Sequence, residues 1–272
     1  MAGLKSYTIS SKSTSGSDVP EPVPCPYCGK LRYWTAGVIG NRRFWFTTPD
    51  DCGCEGEKAA KAALEEKEKQ KELEKSRRRL LAGSGMGRKM QGMTFHGLTI
   101  NDENKAVVSL CERYANAESK TTYPNGIMLT GSFGVGKTHL AAAIANRRME
   151  RGEPVVCQTQ SEILQSIRST YGGNGDEEAS IRRYQTVPLL IIDDMGKEQA
   201  TEWAAGTLFR IIDGRYSDFR PIVITTNYDV KGLIKRLTPP GGDSITAQAI
   251  VDRLDEMCYT APTHGKSWRS RN

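Results

Sequence analysis

Eight consecutive residues, Gly131-Ser132-Phe133-Gly134-Val135-Gly136-Lys137-Thr138, fill every fixed position of the pattern G-x-x-x-x-G-K-[ST]. Glycines at those places let the backbone wrap until its N–H groups face phosphate oxygens. A helix starting at the lysine turns its positive dipole end toward the same anion. The expected chemistry is binding of ATP with magnesium. Lys137 would contact the β and γ phosphates and also serve catalysis, Thr138 would offer its hydroxyl to the metal, and His139 closes the nucleotide-binding set. The context fits, with apolar Ile127-Met128-Leu129 before the loop and an amphipathic stretch from Lys137 to Met149 behind it. A chance glycine-rich turn is the plain alternative.

A second group of polar residues ends another apolar run, Leu189-Leu190-Ile191-Ile192-Asp193-Asp194. Asp193 would bind magnesium through its water shell, and Asp194 would orient and polarise an attacking water. A strand that merely runs into an acidic turn is the simpler account. Ile222-Val223-Ile224-Thr225-Thr226-Asn227 repeats the pattern, and polar residues at the carboxyl ends of parallel strands are where such sheets bind ligands. Asn227 is read as a contact to the γ-phosphate or the water, against the alternative of a turn-forming asparagine.

The third constellation is sulfur. Cys25-Pro26-Tyr27-Cys28-Gly29 is a C-x-x-C knuckle, and Cys52-Gly53-Cys54 follows about two dozen residues later. Zinc takes four thiolates tetrahedrally, and no histidine lies in the segment, so Cys25, Cys28, Cys52 and Cys54 form the complete set. A redox-active pair is the rival. Cys111, Cys157 and Cys258 sit in apolar stretches and read as core thiols.

These groups must be carried by elements. Residues 1–20 read as a disordered tail and 21–54 as a small zinc-binding module with short strands around Leu31–Trp34 and Arg43–Phe46, turning at Gly40-Asn41. Residues 55–92 read as a charged, exposed helix with acid-first i, i+4 pairs (Glu57/Lys61, Glu65/Lys69, Glu74/Arg78), broken by a hinge at Ala82–Gly87. Residues 93–272 read as an ATPase domain in which short apolar runs alternate with helices, the mark of a buried parallel sheet. The length, 272 residues, suits one α/β domain and a smaller attachment, and the net charge of +6 permits a nucleic-acid partner without requiring one. No apolar stretch approaches the roughly 20 residues that span a bilayer. The polar first 24 residues lack a signal peptide's apolar run, so a cytoplasmic chain with reduced thiols is expected.

In order and spacing the pieces resemble the AAA+ replicative-helicase loaders of the DnaC and DnaI kind and their relatives, the IstB transposition helpers. The resemblance covers roughly residues 90–272. It rests on Met93-Thr94-Phe95, the run GSFGVGKTHLAAAIA from Gly131 to Ala145, LLIIDDMG, ITTN at 224–227, Ile250-Val251-Asp252-Arg253-Leu254, and Ser267-Trp268-Arg269-Ser270-Arg271. It implies an AAA+ P-loop fold, a parallel sheet flanked by helices without a C-terminal lid, in a bacterial protein. Asn227 would be sensor 1, Arg253 an arginine finger reaching a neighbouring subunit's γ-phosphate in an ATP-dependent oligomer, and Arg269 sensor 2. A surface ion pair for Arg253 and a basic tail for Arg269 remain open. Aspartate at 194, where many AAA+ enzymes have glutamate, implies slow, partner-regulated hydrolysis.

The resemblance also implies partners. The zinc module would grip a hexameric replicative helicase, with a DNA-binding zinc ribbon as its rival. Single-stranded DNA would pass the helices Ser161–Tyr171 and Asp176–Thr186, where Arg168, Tyr171, Arg182 and Arg183 are the candidates. A solvated helix face explains those four equally well. Against the loader stand an IstB-like transposition helper that binds duplex DNA and a transposase, and a plain P-loop kinase or small-molecule NTPase.

Overall fold

The structure, a computed structural model, describes residues 21–39, 42–46, 52–118, 124–170 and 176–265. The chain divides into two compact units, Met1–Glu74 and Lys75–Asn272. In the first, β1 (Val23–Pro24) pairs antiparallel with β2 (Leu31–Arg32), and β3 (Thr35–Ile39) pairs antiparallel with β4 (Arg42–Phe46), Thr35 opposite Phe46. The expected turn at Gly40-Asn41 lies outside the described residues. Trp34 adds a cross-link, its indole N–H donating to Glu21 O at 2.8 Å.

Helix α1 (Glu55–Ser84) begins directly after Cys54 with Glu55 and Glu57 in its first turn, where negative charge suits the helix dipole. Leu64 and Leu73 are exposed, as the scarcity of apolar residues predicts. At its far end the helix differs from expectation. It runs on through Ser84, and the expected hinge at Ala82–Gly87 is a packed turn. Ser84 is fully buried, its hydroxyl donating to Leu81 O at 2.8 Å and accepting from Met86 N at 3.2 Å. Gly85, at φ +75°, lies so close to Gln158 that a Cβ would stand 2.6 Å from that side chain. Met86 is buried with Leu80 and Leu81 packed beside it, and these apolar anchors turn a flexible-looking Gly-Ser run into a docked one.

The rest of the second unit reads, in order, α2 (Arg88–Gln91), a 3₁₀ turn at Phe95–Gly97, α3 (Lys105–Asn116), β5 (Gly126–Thr130), α4 (Lys137–Glu150), β6 (Val155–Thr159), α5 (Gln160–Arg168), α6 (Glu177–Thr186), β7 (Leu189–Met195), α7 (Glu202–Ser217), β8 (Ile222–Thr226), α8 (Val230–Leu237), α9 (Ile245–Met257) and β9 (Cys258–Pro262). Five parallel strands form one sheet in the order β6-β7-β8-β5-β9. Both faces are covered. Leu189 and Ile191 of β7 pack with residues of α3 and α4, while Leu190 and Ile192 pack with residues of α5, α7 and α9. A strand buried on both sides must be apolar at every position, hence the unbroken run at 189–192. The strand β9 was not foreseen, because Cys-Tyr-Thr-Ala-Pro is no apolar run. Its place at the sheet edge tolerates Pro262, which has no N–H to give. Among the described residues no helix is long and apolar enough to cross a membrane.

Candidate functional site

The chain leaves β5 at Thr130 and turns through Gly131, Gly134 and Gly136, at φ +144°, +82° and +99°, before α4 begins. Gly131 is obligatory on space as well as conformation, since a Cβ there would lie 2.2 Å from Thr263 O. Gly136 caps α4 without any side-chain bond, so the helix start is built from backbone alone, as anion-binding helix starts are. Lys137 is buried, and its ammonium donates to Gly131 O at 2.9 Å, Ser132 O at 2.7 Å and Asn227 Oδ1 at 2.7 Å. The loop is thereby tied to the carboxyl end of β8. Val135 is buried and Phe133 is exposed. His139 turns away from the loop, its Nε2 lying 2.9 Å from Thr94 O. Asn146 of α4 donates to Met90 O and Met93 O at 3.0 and 2.7 Å, so with His139 on Thr94 O helix α4 holds the chain at Met90, Met93 and Thr94.

Next to Lys137 in the chain, the Thr138 hydroxyl lies 3.0 and 3.1 Å from the two Asp193 carboxylate oxygens. Together they make a hard-oxygen pair of the kind a divalent cation takes. Thr225, one strand over, donates to Asp193 Oδ1 at 2.6 Å and accepts from Asp194 N at 2.9 Å. Asp194 sits at φ +55°, and the pairing of β7 with β8 slips between Ile192 and Met195. Such an irregularity re-aims a side chain, here out of the strand's plane of alternation. The Asp194 carboxylate pairs with Lys197 Nζ at 3.4 Å.

Burial raises the Asp193 carboxyl above the usual carboxylate range. Hydrogen bonds from Thr225 and Thr138 pull it back, and the neighbouring Asp194 charge pushes it further up. A folded pKa above the unfolded one contributes stability at low pH that is lost as pH rises through the folded value. The raised carboxyl therefore leaves the nucleotide-free chain less stable near pH 8 than at low pH. Asp193→Asn, which keeps an acceptor for the hydroxyls, is expected to raise the melting temperature at pH 8. That gain should vanish below about pH 3.9, where the unfolded carboxyl is itself protonated. Thermal melts at both pH values check this, and an asparagine variant no more stable than wild type at pH 8 would contradict it.

The other expected residues are placed differently. Arg253 of α9 donates to Asp213 of α7 at 2.7 Å and stacks over Phe209 and Tyr216, 4.8 and 5.5 Å from the ring centroids. Arg168 lies over Trp203 at 4.9 Å beside a groove of about 350 Å³, which is lined by α5 and the start of α7. Arg182 is exposed on α6. Arg183 donates to Gly83 O at 2.7 Å, capping a carbonyl at the end of α1. Tyr171 and Arg269 lie outside the described residues. Thr225, Gln160 and Arg236, all bonded around the Asp193-Asp194 strand end, escaped the sequence reading. Only Thr225 carried a signal, its place at the polar end of an apolar run.

In the first unit the sulfurs of Cys25, Cys28, Cys52 and Cys54 lie within 4.8 Å of one another. Cys25 and Cys54 are 3.8 Å apart and Cys28 and Cys52 3.0 Å apart, and all four are free thiols. A tetrahedral zinc site with bonds of about 2.3 Å sets its sulfurs about 3.8 Å apart, so the cluster needs little adjustment to hold the metal. The knuckle is closed by Gly29 N donating to Cys25 O at 2.9 Å and Cys25 N donating to Lys30 O at 2.8 Å. Backbone hydrogen bonding at Tyr27 lowers the Cys25 thiol to about 7, while its bond to Cys28 pushes Cys52 up to about 12. Cys111, Cys157 and Cys258 are buried, and burial raises all three thiols, as suits inert core residues.

Known proteins are similar to this chain in sequence and fold. The replicative helicase loader DnaC of Buchnera aphidicola subsp. Baizongia pistaciae is 30% identical over 158 residues, 57% of this chain and 63% of that one. DnaC of Escherichia coli K12 is 32% identical over 136 residues, 47% of this chain and 56% of that one. The chain thus spans less than two thirds of the length of either relative. Among solved structures, DnaI superposes with a TM-score of 0.56 at 26% identity, covering 67% of this chain and 94% of that one. The DnaC helicase loader superposes with a TM-score of 0.55 at 19% identity, covering 65% and 100%, a likeness of fold. The fold is that of AAA+ P-loop proteins. The sequence pattern of the family described as IstB-like ATP binding protein runs through residues 65–272, the stretch that carries the Lys137–Asn227 and Thr138–Asp193 pairs, and the chain belongs to that family.

Proposed function

We propose that this chain is an ATP-dependent loader of a hexameric replicative DNA helicase, with ATP hydrolysis switching its release. The observation that carries the ATP half is the meeting of Lys137 with Asn227 and of Thr138 with Asp193, which joins the start of α4 to the ends of β8 and β7 across 90 and 55 residues of chain. With ATP as substrate, the loop 131–138 cradles the phosphates and Lys137 exchanges its present oxygens for theirs. Thr138 and Asp193 would hold magnesium, which would supply positive charge against the phosphate oxygens. Asp194 aims the water and Asn227 helps to hold it. Arg253 exchanges Asp213 for the nucleotide of a neighbouring subunit, which links turnover to self-assembly, and Arg269 adds a second cation.

The helicase half rests on the kinship with proteins named replicative helicase loaders. In this reading residues 21–54 are the docking module, folded by zinc on Cys25, Cys28, Cys52 and Cys54, because so small a unit buries too little to fold without metal. Residues 93–272 are the ATPase, with Arg168 and Arg182 turned to single-stranded DNA.

The test mixes the purified chain with its host's replicative helicase, with and without ATP, and weighs the product by light scattering. The expected complex survives Arg253→Ala and is lost, together with about one zinc per chain, in the Cys25→Ser/Cys28→Ser double variant. If folded, zinc-loaded chain forms no complex with any nucleotide, the loader reading fails, and duplex DNA with a transposase becomes the system to try.

A further inference from the structure

The segment after Asp194 crosses the carboxyl end of the sheet and is fastened along its length. Met195 O accepts from Thr226 Oγ1 at 2.8 Å, and Gly196 N donates to Gln160 Oε1 at 2.9 Å. The remaining ties converge on one side chain. Arg236 of α8 donates from Nε to Gly196 O at 2.7 Å and from Nη2 to Lys197 O, while its own carbonyl accepts from Ala200 N at 3.1 Å. Its guanidinium lies over the Tyr228 ring, 5.7 Å from the centroid, which fixes the plane of the fork. Gln199 closes the far end by donating to Thr238 O at 2.6 Å.

Asp194 needs such a clamp. A non-glycine residue at φ +55° where the pairing of β7 slips persists only if its surroundings over-determine it. On the amino side that is done by its own N–H on Thr225. On the carboxyl side Lys197 N donates to Asp194 O at 3.2 Å and Gly196 N to Gln160, and two adjacent carbonyls are held in one guanidinium fork. We infer that Arg236 is a positioning residue for ATP hydrolysis, acting on the reaction only through the placement of Asp194. The inference rests on the ATPase reading above and deepens it. It also gives α8, which begins three residues after Asn227, a second connection to the reaction centre.

The fork matters more than the charge. A lysine supplies one ammonium from a flexible stem and cannot hold two neighbouring carbonyls in a plane. A residue that merely glued α8 to the sheet would slow turnover, weaken nucleotide binding and lower stability together. A residue acting through Asp194 spares binding and becomes silent once Asp194 is disabled.

The experiment measures ATP turnover, equilibrium binding of a fluorescent ATP analogue and thermal midpoint for wild type, R236A, R236K, D194N and both double variants with D194N. The expected result is a kcat reduced on the order of 10²-fold in R236A, as small misplacements of reacting groups cost. R236K should be nearly as slow, and nucleotide affinity should stay within about twofold of wild type. In the D194N background neither change at Arg236 should lower kcat further. Should R236A melt too low to assay, the R236K cycle decides by the same criterion. Losses that multiply in the double variants, or an affinity that falls in step with kcat, would overturn the inference while leaving the ATPase reading intact. Wild-type turnover in D194N would overturn the inference by removing Asp194 from the reaction, whereas wild-type chain that binds the analogue but turns over no ATP would overturn the ATPase reading itself.

Discussion

Replacing Lys137 by alanine is expected to lower ATP turnover by at least about 10²-fold, the loss typical of removing one preorganised donor aimed at developing charge. The geometry makes this a demanding position. Lys137 is 5% exposed, and its ammonium sits among Gly131 O, Ser132 O and Asn227 Oδ1 at 2.7–2.9 Å. A cation held there is already desolvated and oriented, so contact with phosphate oxygens costs little reorganisation. Alanine removes the charge and also cuts the link between the loop after β5 and the end of β8. Lys137→Arg should fail nearly as badly. A planar guanidinium is larger than an ammonium and cannot donate to three oxygens gathered around a single nitrogen. Single-turnover hydrolysis beside equilibrium nucleotide binding separates the effects. A kcat loss beyond the loss of affinity is expected, because the charge on the transferred phosphoryl group is largest in the transition state. An alanine variant within tenfold of wild-type turnover would remove Lys137 from the chemistry.

Local signals reach only so far, and the boundary follows a physical line. The apolar run at 189–192 could be read as a doubly covered strand because both of its faces meet core, and the glycines at 131, 134 and 136 because their φ values require them. The four cysteines were legible from spacing, since a chelate constrains its own spacers. Partnerships across the chain were legible only through a shared ligand, with Thr138 and Asp193 assigned to one magnesium and Lys137 and Asn227 to one phosphate. Nothing near Lys137 says that its ammonium bonds Asn227 directly, and nothing near Thr138 says that its hydroxyl bonds Asp193. Those pairs exist because parallel strands bring their carboxyl ends together. The hinge was misjudged for a related reason: Gly83-Ser84-Gly85 looks loose until Met86 is buried and drags the turn onto β6. Arginines are the hardest case, because their partners are so often backbone carbonyls. Arg183, expected at a nucleic-acid surface, caps Gly83 O, and Arg236, unremarked in its amphipathic helix, holds the strand end that carries Asp194.

Arg215 shows how much stability such an unread arginine can carry. It sits on α7 with no exposed surface, and its guanidinium donates to five carbonyls, those of Tyr184, Gln185, Val187, Pro188 and Pro221. These are the carbonyls of the chain entering β7 and β8, at the end of the sheet opposite the P-loop. Burial lowers the Arg215 pKa to about 9, which leaves it a cation at neutral pH. Arg215→Met keeps much of the volume and strands the five acceptors, each costing about 1–3 kcal/mol if it stays buried and unpaired. Water entering the gap would satisfy some of them, so a net loss of at least about 3 kcal/mol is the expected result. That is a large share of the roughly 5–15 kcal/mol that holds a domain together. Arg215→Lys should fall between, because three N–H groups cannot serve five carbonyls. Urea unfolding decides the matter. The midpoint should drop with little change in slope, and the fraction still folded should bind nucleotide with wild-type affinity, since nothing at the P-loop has been touched. A methionine variant destabilised by less than about 1 kcal/mol would mean that the carbonyls find other partners, and that the amino end of the sheet is held by packing instead.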